Sequence, residues 1–240
     1  MYKKYLVAFP CFNKNNIETI LKCIKNIKLY LPNAKIVIID SDSYDKTYFN
    51  IIYNLYPEID IHDIKNKSYT FGCIWHVYEN YKDYEFYYFI HDSVIIKENL
   101  EYLSLKDLVI PIYAKSGNWI GKNTNIEYHN YGFKRQDEIS FILNNYKKYS
   151  SEEFKYSIPK YFNLVIGEIM FVNRKILDIL YKYNYNKMIP LTKHEACAHE
   201  RSWGIVFEKL GYNIEKHSLC GDFFNYPDYS KFEKFNLARK

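Results

Sequence analysis

The chain has 240 residues, 48% apolar and 25% charged, which suits one globular domain with a sizeable core or one domain with a small appendage. A net charge of +5 mildly favours anionic ligands, but the lysines alternate with acids and form no run of five or six, which argues against a nucleic-acid groove. Cys11, Cys23, Cys73, Cys197 and Cys220 are scattered without a Cys-x-x-Cys pair, so neither a zinc ribbon nor a disulfide framework is expected, and reduced thiols point to a cytoplasmic protein. No segment approaches the roughly 20 apolar residues of a membrane span, and the run after Met1-Tyr2-Lys3-Lys4 is too short for a signal peptide. The 27 Tyr and 16 Phe point first to an AT-rich genome and second to surfaces that stack sugars or bases, and they obscure any oligomer interface.

Tyr5 to Phe9 reads as the first strand, ending at Pro10-Cys11-Phe12-Asn13. Ile17, Ile20, Leu21, Ile24, Ile27 and Leu31 then fall at helical spacing, with Pro32 as the stop. Ile36 to Ile39 is a continuous β-branched run, expected to be buried on both faces. It meets a cluster of acids and hydroxyls, Asp40-Ser41-Asp42-Ser43-Tyr44-Asp45-Lys46-Thr47. Two readings of that cluster stay open: an Asp-rich turn with a helix cap at Ser43 or Asp45, or a ligand site beyond the carboxyl end of a strand.

A helix through Phe49, Ile52, Tyr53 and Tyr56 follows, then a short strand from Ile59 to Ile64. Ser68 is placed to cap a helix with Phe71, Ile74, Trp75 and Tyr78 on one face. The strand Phe86 to Ile90 leads into His91-Asp92-Ser93. Such alternation predicts right-handed crossovers and a mainly parallel sheet with helices on both sides.

The later half is less regular. Leu108 to Tyr113 reads as a strand, Ser116 to Tyr131 as a loop, Gln136 to Lys147 as a helix, Val165 to Val172 as a strand and Cys197 to Leu210 as a helix. Gly167 inside its strand suggests a bulge. His194, Glu195 and His199 miss the zinc-protease spacing by one residue.

The Asp40 to Thr47 stretch resembles the Asp-Asp-Gly-Ser-x-Asp-x-Thr element of GT-A glycosyltransferases, especially family 2. Asp40, Ser43, Asp45 and Thr47 match, while Ser41 replaces the second Asp and Asp42 the Gly. The resemblance covers most of the chain in order, from the first strand to Trp203. It implies a single GT-A (Rossmann-like) α/β domain over residues 1–240, with a nucleotide-sugar half at 1–105 and an acceptor half at 106–240.

The activity it implies is transfer of a sugar from a nucleotide-diphosphate donor such as a UDP-sugar to a glycan or other hydroxyl acceptor, with inversion. The implied donor residues are Pro10, Phe12, Asn13, Asp40, Asp42, His91, Asp92 and Ser93, with Asp40 on the base or ribose. Here His91-Asp92-Ser93 stands in place of Asp-x-Asp, leaving Asp92 as the Mn2+ or Mg2+ ligand and His217 as a late second one. Gly167, Glu168 and Trp203 are implied on the acceptor side, with Glu200 as general base and Glu195 as its substitute. Alternative readings are a catalytically inactive domain that binds a nucleotide sugar or glycan, and a nucleotidyltransferase, which would need the Gly-rich phosphate loop that Pro10-Cys11-Phe12-Asn13-Lys14 does not supply.

Overall fold

A computed structural model describes residues 4–11, 17–65, 69–115, 136–149, 162–223 and 226–234. Phe12, Asn13, Ser68 and the expected loop at 116–131 lie outside the described residues. Strands β1 (Tyr5–Cys11), β2 (Lys35–Asp40), β3 (Asp60–Asp63) and β4 (Phe86–Phe89) alternate with helices α1 (Ile17–Tyr30), α2 (Thr47–Leu55) and α3 (Tyr69–Asn80). Short strands β5 (Val94–Ile96), β6 (Leu108–Val109) and β7 (Tyr113–Lys115) follow, then α4 (Gln136–Tyr149). Strands β8 (Asn163–Val165) and β9 (Met170–Asn173) precede α5 (Arg174–Lys182), α6 (Lys193–Lys209) and α7 (Ile214–His217). The described chain closes with β10 (Gly221–Asp222), β11 (Tyr226–Pro227) and β12 (Phe232–Lys234).

The central sheet has six strands in the order β3-β2-β1-β4-β9-β6. Pairs β1–β2, β2–β3 and β1–β4 are parallel, whereas β9 runs antiparallel to both β4 and β6. The fold is thus α/β with a mostly parallel sheet flanked by helices, as the alternating pattern predicts.

Alternation along each strand decides which side it feeds. Leu6, Ala8, Val37, Ile39, Tyr87 and Phe89 face the layer of α3, α5 and α6. Their sequence neighbours Tyr5, Val7, Phe9, Ile36, Ile38, Phe86 and Tyr88 face α1 and α2. A strand buried on both faces can therefore be continuously apolar, as Ile36 to Ile39 is.

Sequence-based boundaries shift where a specific contact intervenes. β1 extends through Cys11, so Pro10 belongs to the strand and not to the loop after it, in register with Ile39. Proline has no N–H to give, but Ile90 N donates to Ala8 O as the last bond on that side, beyond which β4 has ended. The expected strand from Leu108 to Tyr113 splits around Pro111. Its first part joins the central sheet, and its second joins a smaller sheet in the order β11-β10-β7-β8. The expected strand from Val165 to Val172 also breaks, because Gly167 and Glu168 both take left-handed conformations (φ 67° and 55°).

Candidate functional site at the switch point of the sheet

Chain order along the sheet reverses at β1: β2 and β3 extend to one side, and β4 lies on the other. At such a switch point the loops leaving adjacent strands turn to opposite faces, opening a crevice at the carboxyl ends. Strand β1 ends there at Cys11, and the segment leaving β4, Ile90-His91-Asp92, emerges beside it. Asp40 ends the neighbouring β2, paired with Cys11.

The antiparallel β9 enters the sheet beside β4, with Met170 paired to Phe89, so the Gly167-Glu168 turn lies at this same edge. Helix α6 packs against that turn and supplies Glu200, whose Oε1 accepts a 2.6 Å hydrogen bond from Gly167 N. His91 completes the contact. A Cβ added to Gly167 would meet the His91 ring at 2.9 Å and Lys234 Nζ at 2.5 Å. Glycine is required twice over, by its positive φ and by the approach of these two side chains.

His91, Asp92, Gly167, Glu200 and Lys234 therefore form one cluster. Burial, above all, pushes the Glu200 carboxyl above its ordinary value, while the Gly167 N–H and the Lys234 ammonium act in the opposite direction. Burial also raises Asp92, against the Ser93 N–H and Lys234. It lowers His91 well below the usual imidazole value, aided by Lys234, so His91 is neutral at pH 7. Lys234 itself is lowered by burial and partly restored by Glu200 and Asp92. Acids pushed up and a lysine pushed down mark a site where fixed charges act through little water.

Other expected residues have different surroundings. Asp40 is fully buried. Its Oδ1 accepts from Asp42 N (3.1 Å) and Ser43 N (2.9 Å), and its Oδ2 accepts from Tyr48 OH (2.5 Å). The carboxylate thus holds its own loop together, with Asp42 left-handed at φ 77° where the resembling element has glycine. Asp tolerates that region better than most residues, which explains how the replacement is accommodated.

Glu195 lies in the first turn of α6 and closes a capping box: Thr192 accepts from Glu195 N, while Glu195 Oε2 accepts from Thr192 N (3.0 Å) and Leu191 N (2.7 Å). Glu200 is further along the helix than the expected start at Cys197 implied. Trp203 is fully buried, and its indole N–H donates to Glu168 Oε1 at 2.9 Å. The same oxygen lies 2.9 Å from His199 Nδ1, so Glu168 is the buried hub of a polar group beneath the Gly167 turn. Neither side chain lines an open surface. His217 lies on α7, its ring edge-on to Tyr212.

Among the described residues no group of three or more His, Cys, Asp or Glu side chains is placed to hold a metal ion. A divalent cation at this site is compatible with Asp92 beside the neutral His91, provided substrate phosphates and water fill the remaining positions. Sequence reasoning did not single out Lys234. Its signal is long-range: only pairing of β12 with β5 brings it to the cluster, through Lys234 opposite Val94.

No protein-family profile matches the chain, and no curated protein sequence does. Among solved structures, it is similar to core-mannan synthase A from Aspergillus fumigatus in its Mn/GDP form, at 10% identity and TM-score 0.48, over 90% of this chain and 72% of that one. It is similar to the mannosyltransferase PcManGT from Pyrobaculum calidifontis, in complex with GDP-Man and Mn2+, at 12% identity and TM-score 0.44, over 75% and 47% of the two chains. For S. aureus TarS 1–349 the values are 14% and 0.42, over 82% and 55%. The chain spans about half the length of the last two. At such identities and TM-scores the likeness reaches no individual side chain.

Proposed function

We propose that the chain is a GT-A-type glycosyltransferase that moves a sugar from a nucleotide-diphosphate donor to a hydroxyl acceptor, with inversion. The observation that carries this reading is the position of Glu200: a half-buried carboxylate with a raised pKa, fixed by Gly167 N–H, beside Asp92 and His91 at the sheet's switch point. Sequence elements resembling the family occur in matching order along the chain and support it independently.

The chemistry follows from the cluster. Glu200 accepts the proton of the acceptor hydroxyl as that oxygen bonds to the anomeric carbon. The bond from the anomeric carbon to the diphosphate oxygen breaks, and its electron pair leaves with the diphosphate. Negative charge then grows on phosphate oxygens, where a fixed cation stabilises the transition state more than the ground state. A Mn2+ or Mg2+ ion held by Asp92, with His91 beside it, would supply Lewis-acid stabilisation of that charge. Asp40 shapes the nucleotide pocket by holding the Asp42-Ser43 turn, and Pro10 walls it from β1. Gly167 sets the floor on the acceptor side, with Glu168 and Trp203 supporting it from below.

The test is a thermal-shift screen with UDP, GDP, CDP and their sugar conjugates, with and without Mn2+, followed by a turnover assay on whichever donor binds. Stabilisation by one nucleotide class together with sugar release or transfer supports the reading. Failure of every nucleotide to shift the protein overturns it. A second reading, a domain that binds nucleotide sugar without turnover, is favoured by the internal hydrogen bonding of Asp40, and binding without transfer under any metal would establish it.

A further inference from the structure

Two residues after Asp92 stands Val94. Val94 begins β5, and its partner across the antiparallel β5–β12 pair is Lys234. This pairing brings an ammonium to the edge of the sheet where Asp92 stands. The geometry that brings it there is over-determined. Phe232 is fully buried against Phe171 (ring centroids 5.7 Å apart), and Lys97 N donates to Lys231 O at 2.8 Å. Ion pairs flank the strand, Lys97 to Glu233 at 2.6 Å and Lys231 to Glu98 at 3.4 Å. The Lys234 side chain then reaches from β12 to the Gly167 turn, its Nζ over Gly167 and beside His91.

We propose that Lys234 is a donor-site residue that contacts the diphosphate of the nucleotide sugar, supplying a fixed positive charge so that diphosphate binding persists without a divalent ion. This rests on the transferase reading. Asp92 and Glu200 place two carboxylates in a crevice that has to admit an anionic diphosphate, and repulsion would exclude it unless a cation stands among them. Lys234 is electrostatically coupled to both acids, with Lys193 from the first turn of α6 as a second cation nearby. A lysine ammonium is a compact point charge with three donors, suited to phosphate oxygens that change position during reaction. Gly167 leaves the room that the Lys234 side chain occupies.

Isothermal titration of the full chain separates this role from a purely structural one. Nucleoside diphosphates (UDP, GDP and CDP) and the corresponding nucleosides are titrated in EDTA and in Mn2+. Wild type is expected to bind one nucleoside diphosphate in EDTA. Lys234→Met, which keeps the aliphatic stem and the β12 backbone pairing, should weaken that binding by about tenfold or more, as for loss of one charge-assisted contact. Its affinity for the nucleoside alone should stay within about twofold of wild type, a difference too small to count as a lost contact. Lys234→Arg should retain most of the diphosphate affinity, a control that holds even if the Met variant folds poorly.

Equal losses for nucleoside and diphosphate would make Lys234 a structural counter-ion and overturn the proposal, as would unchanged diphosphate binding in Lys234→Met. Wild-type binding that strictly requires Mn2+ overturns it too, while leaving the transferase reading intact. Absence of nucleotide binding in both conditions overturns both.

Discussion

Glu200 is held between opposing influences: burial favours its protonated form, while Gly167 N–H and Lys234 favour the carboxylate. In the proposed role of base it works only when ionised, so activity should fall as pH drops through its raised pKa. The acid limb of kcat/KM against pH should therefore lie above the ordinary glutamate value of 4.5. The charged groups acting on it are Lys234, Glu168 and Arg201. Glu200→Gln should leave nucleotide affinity near wild type and lower kcat by about 100-fold or more, the usual range for losing a general base. Parallel loss of nucleotide binding would argue against its role as base. Trp203 gives a contrasting case. Trp203→Phe retains the ring packed against Phe207 and Tyr185 but removes a donor from buried Glu168, which should cost about 1–3 kcal/mol in urea unfolding. The residue types at 92, 168, 200 and 203 were all legible as candidates. Which of them face the crevice was not, since Trp203 and Glu168 differ from Glu200 only in where α6 and the Gly167 turn direct their side chains.

Helix α6 shows how an element is set by both local and distant contacts. Its start is local: Thr192-x-x-Glu195 is a capping-box spelling, and reading it from sequence would have moved the helix start from Cys197 back to Lys193. Thr192→Ala removes that cap and should cost about 0.5–2 kcal/mol by thermal unfolding. Its path over β8 is set at distance. Gly204 brings the helix so close to Asn163 that an added methyl would run into the Asn163 carbonyl. The obstacle is backbone, which cannot rotate aside, so Gly204→Ala should destabilise by about 1–3 kcal/mol or more and move α6, with Glu200 on it, relative to Gly167. A drop in kcat beyond what the stability loss explains is the outcome expected in a paired denaturation and turnover measurement. Strands β8 and β9 carry the opposite lesson. Val165 to Val172 is apolar apart from Gly167 and Glu168, and these two left-handed residues turn the chain midway, a feature for which Gly167 is a local signal and Glu168 is none.

At the scale of the molecule, the β5–β12 pair joins the end of the described chain to the loop after β4. Phe232→Ala should remove a fully buried ring and cost about 3–5 kcal/mol in chemical denaturation. Because β12 also delivers Lys234, diphosphate affinity should fall with it, in EDTA more than in Mn2+. Among the described residues no helix is long and apolar enough to cross a membrane.

Local information determined the strand–helix alternation, the β-branched interior strands and the acids at their carboxyl ends. Each follows from periodicity or from a short run whose side chains answer to their immediate neighbours. Tertiary structure decided the rest. It turned Asp40 inward onto Tyr48 and its own loop, sent half of one expected strand into a second sheet at Pro111, and buried Trp203 on Glu168. It also brought Lys234 to Asp92 and Glu200 across more than half the chain for the first and more than thirty residues for the second. The physical reason is common to all four. A side chain's direction and the charges that face it depend on how elements pair and pack, and those pairings join residues whose separation along the chain leaves no periodic trace.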